Sequence, residues 1–566
     1  MTQTPPAMSA SRAPRPLRLL VGLAVAAGLG IGPVGWLPAA RAQEAQVAQE
    51  PAGPAPAPGA RVQQGTPPAP DAGRERPARP ADAAASPNAN ARRLPPDSTT
   101  EHTVEAGGRT LRFKATAGSI PLFDGEGGAL RAEVGYVAFT VGPDAGSGNQ
   151  AGAAGPARPV TFLFNGGPGA ASAYLNIGAI GPWRLPLDGA TASTPPVLVP
   201  NAETWLDFTD LVFIDPPGTG YSRLVGGEPV RRQLWSVDGD AEALAVVVRK
   251  WIDQHGRQGA PKLLVGESYG GFRVPKLART LATREGVGVR GLILVSPVLD
   301  FASLGQRRHQ PQSWIAALPS MAAAALERKN AFSAEALAAA ERYAATDYLA
   351  DLMRGERDTA AVDRMTARVA ALTGLDPALV KRLAGRVDTA TFQRELWRSR
   401  GLVGSAYDAT VTAFDPEPSA ARTHFPDPVL DSTKAPIVAA MSELYRGRLR
   451  WSHDQLYRLL NDEVSGQWGW GRGRSAPQVV DEVRTVLASD RDARILVAHG
   501  ASDLVTPYFA NKLILDQLPV YGAADRAALK VYRGGHMFYA QDDSRKALRR
   551  DAEAFYRAAL QGAAKE

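Results

Sequence analysis

Seven short runs constrain this chain more than any other feature: "YVAFTV", "VTFLFN", "LVFID", "KLLVGE", "GLILVS", "RILVAHG" and "LKVYRG". Val, Ile, Leu and Phe dominate them, and none alternates strictly between apolar and polar residues. A strand with one wet face alternates, whereas a strand buried on both faces has no reason to. The runs therefore predict an α/β fold with a mostly parallel central sheet flanked by helices. "DAEALAVVVRKWIDQH", after the third run, has helical periodicity and suits a crossover between parallel strands.

Apolar residues make up 45% of the 566, which supports a substantial core. From about Ala302 to Pro436 the strand signal stops. Ser333 with Glu335 reads as a helix start, Asp376-Pro377 as a cap with proline at the first helical position, and alanine-rich stretches fill the rest. The expectation is a helical insertion at 302–436, splitting the sheet-forming core into 97–301 and 437–566. Sites in such sheets lie beyond the carboxyl ends of the strands, so the insertion is expected to serve as a lid.

The N-terminus reads differently. Arg12, Arg15 and Arg18 precede "LLVGLAVAAGLGIGPVGWL", and Ala40-Arg41-Ala42 follows. A basic segment, an apolar segment and a small-residue cleavage pattern predict a signal peptide over 1–42, cut before Gln43. The Pro-, Ala- and Gly-rich text of 43–96 buries too little to offset its chain entropy and reads as a disordered spacer. Together these predict export, to the periplasm or medium, without a lasting membrane anchor. The formal charge of +7 falls to +3 once the four arginines of 1–42 are removed, and no basic stripe remains to suggest a nucleic-acid partner. There is no cysteine, hence no disulfide and no lipid-anchoring thiol.

"KLLVGESYGG" places Gly266-Glu267-Ser268-Tyr269-Gly270 between an apolar run and a helical pattern. This G-x-S-x-G arrangement is the sharp strand-to-helix turn that lifts a serine hydroxyl clear of the backbone. A serine needs a base to take its proton and an acid to orient that base, and in this arrangement they follow in the order acid, then histidine. Of the seven histidines, His102, His255 and His309 come too early. Asp503 in "GASDLVTPY" follows a late strand, and His536 in "VYRGGHMFY" lies beyond it. His499 precedes the acid within its strand and reads as a core or loop residue. An oxyanion site would combine the N–H after the serine with one from "NGGPG", Asn165 to Gly169, where glycine permits close approach to a reacting carbonyl.

With these residues assembled, the chain resembles the serine carboxypeptidases, an α/β-hydrolase family. "NGGPGAAS", "NAETWLDFTDLVFIDPPGTGYSR", "GESYGG" and "GGHMFY" match four of its blocks in order. "LNIGAIGP", "SDLVTPY" and "GHMFY" look closest to bacterial members. The resemblance implies Ser268 as nucleophile, His536 as base, Asp503 as its orienter and the N–H groups of Gly167 and Tyr269 as oxyanion donors. It also implies that Asn165 and Glu267 hold the substrate's terminal carboxylate, Glu267 in protonated form. Three positions depart from the pattern: Ala179 stands for the family's second glutamate, Leu163 for a tryptophan and Ala170 for a cysteine.

The expected activity is that of an exported serine carboxypeptidase releasing C-terminal residues through an acyl-enzyme, with no cofactor and no metal. The missing second glutamate keeps open an esterase, acyltransferase or other peptidase on the same scaffold. A non-enzymatic binding protein is the third reading, and the retained triad speaks against it. No HExxH, Cys/His ligand spacing or Walker-type loop is present, and "GPDAGSGNQAGAAG" reads as a surface loop.

Overall fold

The computed structural model describes residues 94–125, 127–142, 157–421 and 425–561. The signal peptide, nearly all of the spacer and most of the glycine-rich loop after Val141 lie outside these residues. The folded part starts earlier than expected: Leu94 is buried, and the Pro96 carbonyl accepts from the Trp451 indole at 3.1 Å.

Strands β1 (Ser98–Ala106), β2 (Arg109–Phe123) and β3 (Leu130–Val141) run antiparallel to their neighbours. β1 and β2 were not among the seven runs. β1 reads "STTEHTVEA", an edge strand with one wet face and almost no aliphatic residues, so it carries little hydrophobic signal. The next six strands are parallel: β4 (Val160–Phe164), β5 (Asp210–Ile214), β6 (Lys262–Glu267), β7 (Gly291–Val295), β8 (Arg494–Gly500) and β9 (Ala527–Tyr532). The order across the sheet is β1-β2-β3-β5-β4-β6-β7-β8-β9, with the short strand Arg223–Leu224 paired to β3.

The absence of alternation in the apolar runs has a direct cause. Phe162 and Phe164 point into one buried cluster and Leu163 into another. Helices α1 (Val237–Gln254) and α2 (Tyr269–Arg284) cover the first face through Leu244, Val248, Leu277 and Leu281. The C-terminal helix, Asp542–Gln561, covers the other through Leu548, Ala552 and Tyr556.

The helical insertion has a third core, built from Trp314, Leu318, Met365, Val369 and Phe392 and continued by Tyr508 and Phe509 of the sheet domain. Ser333 and Asp376 cap their helices, accepting from Ala336 N and Ala378 N. Two expectations need correction. A small hairpin, Leu402–Gly404 with Thr412–Phe414, interrupts the helices. The boundary at Pro436 falls inside a continuous helix, Pro428–Glu443, because that proline is accommodated within the helix instead of ending it.

One buried ion pair ties this frame to the site. Arg273 of α2 bonds Asp240 of α1 at 2.5 Å, with the two side chains 1% and 2% exposed. Arg273 also donates to the Asn165 carbonyl at the end of β4. Removing the guanidinium would leave Asp240 buried without its cation. Arg273→Met is therefore expected to cost about 3–5 kcal/mol in urea unfolding, part of which Asp240→Asn should restore in the double variant.

Candidate active site

Ser268 joins β6 to α2 at φ +61° and ψ −123°, a strained conformation for a residue with a side chain. Its N–H donates to the Val295 carbonyl at the end of β7, and its carbonyl accepts from Gly271 N, both at 2.9 Å. Ser268 is half-buried. The loop after β4 lies directly against this turn. A Cβ on Gly166 would sit 2.5 Å from Tyr269 N and 2.6 Å from the Glu267 carbonyl, so only glycine fits. Gly166, next to Gly167, thus lies against Tyr269, which opens α2 where first-turn N–H groups have no helical acceptor. Gly167 N–H likewise has none among the described residues.

Asp503 and His536 arrive on the loops after β8 and β9. His536 Nδ1 lies 2.7 Å from Asp503 Oδ2, and both side chains are buried. Asp503 Oδ1 accepts from the N–H groups of Val505 and Thr506 at 2.8 and 3.0 Å, and Thr506 Oγ1 donates to Oδ2 at 2.8 Å. This array fixes the carboxyl group towards His536 Nδ1, which suits a proton on Nδ1 and leaves Nε2 as the basic nitrogen. Burial alone would lower the His536 pKa. The charge of Asp503, its hydrogen bond and the charges of Glu267 and Asp427 outweigh that and raise it.

The link between this pair and Ser268 runs through the end of β7. Ser296, next to Val295, donates through Oγ to the His536 carbonyl at 2.7 Å. The Ser296 carbonyl lies 3.0 Å from the same Thr506 Oγ1, a second acceptor within reach of its one proton. No hydrogen bond joins His536 to the Ser268 hydroxyl in the free protein, a contact that commonly tightens only with substrate. His499, the rival histidine, is fully buried; burial pushes its pKa down to about 4 against the raising effect of Asp503. Its Nε2 pairs with Asn511 at 3.0 Å.

Glu267 and Asn165 also meet. Asn165 Nδ2 donates to Glu267 Oε2 at 2.8 Å, while its Oδ1 accepts from Leu175 N. Tyr539, three residues after His536, places its hydroxyl 2.9 Å from both Glu267 oxygens. Burial lifts the Glu267 pKa to about 7, against the charge of His536 and the hydrogen bonds from Tyr539 and Asn165, with Asp503 adding to the rise.

Sequence reasoning missed Tyr539 and the strap Ser405–Ala409 from the insertion. The Tyr407 carbonyl accepts from His536 N at 2.5 Å, and Asp408 Oδ2 accepts from Gly535 N at 3.0 Å. Leu504 N donates to the Ala406 carbonyl and Ala409 N to the Ser502 carbonyl. The insertion thus grips both the aspartate loop and the histidine loop. Nothing in "GSAYDAT" announces this, because carbonyl acceptors have no sequence signature. Among the described residues no cluster of three or more His, Cys, Asp or Glu could hold a metal ion.

Comparison with known proteins places this arrangement. Residues 151–343 match the serine carboxypeptidase family. Serine carboxypeptidase-like 36 of Arabidopsis thaliana is 29% identical over 154 residues, which span 26% of this chain and 30% of that protein. A pheromone-processing carboxypeptidase of Leptosphaeria maculans is 30% identical over 158 residues, spanning 26% and 23%. The match thus spans under a third of each of these relatives. A prohormone-processing carboxypeptidase from Saccharomyces cerevisiae shares the fold, with a TM-score of 0.50 at 13% identity, over 79% of this chain and 91% of that one. The serine carboxypeptidase match covers the "NGGPG" and "GESYGG" segments, whereas Asp503 and His536 lie beyond it.

The strap predicts a specific sensitivity. A Cβ on Gly535 would meet the Tyr407 carbonyl at 2.0 Å and Asp408 Cα at 2.4 Å. Gly535→Ala is expected to shift His536 and slow serine labelling by a fluorophosphonate by about tenfold or more, with far-UV circular dichroism unchanged.

Proposed function

We propose that the protein is an exported serine carboxypeptidase. The observation that carries this reading is the buried pair Asn165–Glu267 set immediately beside the Ser268 turn. A hydrolase of neutral acyl groups has no use for a carboxyl group held near neutrality next to its nucleophile. A carboxypeptidase does, because a protonated Glu267 can donate to the carboxylate that ends every peptide.

In this mechanism His536 Nε2 takes the Ser268 proton as Oγ attacks the scissile carbonyl. The oxygen's charge develops towards the N–H groups of Gly167 and Tyr269. His536, paired with Asp503, then passes the proton to the departing amino acid, leaving an acyl group on Ser268. Water repeats the sequence and frees the shortened peptide. The strap from the insertion supports a lid that also fixes the base. The absence of a second glutamate at Ala179 favours, as a second reading, hydrolysis of esters or other acyl groups on the same triad.

Export rests on the N-terminal sequence; N-terminal sequencing of mature protein should begin at Gln43. The relatives described above are plant and fungal, so a bacterial affinity rests on "LNIGAIGP", "SDLVTPY" and "GHMFY" alone.

Peptides ending in a free carboxylate should be cleaved far faster than their amides, and equal rates would overturn the carboxypeptidase assignment. Ser268→Ala should abolish fluorophosphonate labelling, and Asp503→Asn should lower kcat by about 10⁴-fold. The pH dependence separates the two buried groups. Activity on an ester should rise with pH as His536 loses its proton, at a pH above the usual histidine value. Activity on a free-acid peptide should instead be bell-shaped, limited on the acid side by protonated His536 and on the alkaline side by ionisation of Glu267, whose pKa burial lifts to about 7.

A further inference from the structure

Glu267 is held by a residue that its own motif does not contain. The turn Phe538–Ala540 packs against the turn Asn176–Ile180, which carries Ala179. A Cβ on Gly178 would lie 3.2 Å from the Tyr539 ring. Tyr539 therefore stands against the very turn on which the family resemblance calls for a second glutamate, and its hydroxyl spans both Glu267 oxygens at 2.9 Å. The tyrosine is fully buried, and burial, then the charge of Glu267, keep its hydroxyl protonated. It can donate to Glu267 but cannot share a proton with it as a second carboxyl group would.

We propose that Tyr539 is a positioning residue for the recognition of a substrate's terminal carboxylate, holding Glu267 in place of a second acid. The inference rests on the carboxypeptidase reading and adds a consequence for pH. A hydrogen bond to the ionised carboxyl group favours its anion, whereas burial disfavours it. The groups acting on Glu267 are His536 and Asp503 from the loops after β9 and β8, Asn165 after β4, and Tyr539 itself. Tyr174 and Tyr407 are buried close enough to feel its charge. The Tyr174 hydroxyl has no partner among the described residues, so it adds no hydrogen bond to Glu267. Of these groups Tyr539 alone contacts both oxygens, so it is the lever on the carboxyl group's titration.

The test compares an N-acylated dipeptide with its C-terminal amide, measuring KM and kcat from about pH 5 to about pH 9. The full-length exported protein, Tyr539→Phe, and protein with 3-fluorotyrosine at position 539 are used. Fluorophosphonate labelling at the wild-type rate shows that each is folded with Ser268 active. For the wild type, KM on the acid should climb as Glu267 ionises, while KM on the amide stays flat. In Tyr539→Phe the anion loses a donor, so the climb should move to higher pH by roughly one unit. The more acidic fluorotyrosine donates more strongly and should move it lower. A merely structural tyrosine would change KM on both substrates without moving the climb. An unmoved climb in the variants that label, with the wild type still preferring the acid, overturns the role of Tyr539 alone. A wild type without that preference overturns the carboxypeptidase reading together with it. Should Tyr539→Phe fail to label, the fluorotyrosine protein decides by the same criterion.

Discussion

Parallel strands must all be re-entered from the same end, so their carboxyl termini line one edge of the sheet. In this protein the loops after β4, β6, β7, β8 and β9 all emerge there. They bring Asn165 and Gly167, Glu267 and Ser268, Ser296, Asp503, and His536 with Tyr539. Burial of both sheet faces fixes the strands' relative positions. Glu267 and Tyr539, 272 positions apart in the chain, therefore meet without any local code for meeting. Arg273 extends the constraint by joining α1, α2 and the loop after β4 through one buried guanidinium.

Two networks of opposite character sit side by side at that edge. Around Asp503 the contacts are hydrogen-bond donors, which fix its carboxyl group against His536. Around Glu267 burial competes with donors, which leaves the group poised to change its protonation state. Two neighbouring carboxyl groups thus meet different surroundings, which in the proposed carboxypeptidase suit one to orient the base and the other to meet an anion. The insertion joins the first network through backbone atoms of Ala406, Tyr407 and Ala409 and the Asp408 carboxyl group. A movement of this segment would displace the base.

Much of this was readable beforehand, and the residues show why. β4 to β8 declared themselves because strands buried on both faces need uninterrupted apolar runs. Ser268, Asp503 and His536 could be named as candidates because serine chemistry needs those residue types in that order, each next to a strand end, and the structure brings Asp503 and His536 together. β1 stayed hidden because one face is wet and threonine replaces aliphatics. Pro436 misled because a proline within a helix cannot be told from a proline that ends one without seeing its neighbours.

By itself the sequence determined the class of fold and singled out Ser268 and His536 as candidate nucleophile and base, since each follows from local pattern and chain order. Only the tertiary structure decided what touches Glu267 and what holds the histidine loop. Tyr539 and the carbonyl of Tyr407 act through contacts made across the fold. A hydroxyl or a carbonyl becomes a partner only when packing brings a group of the right polarity to within about 3 Å.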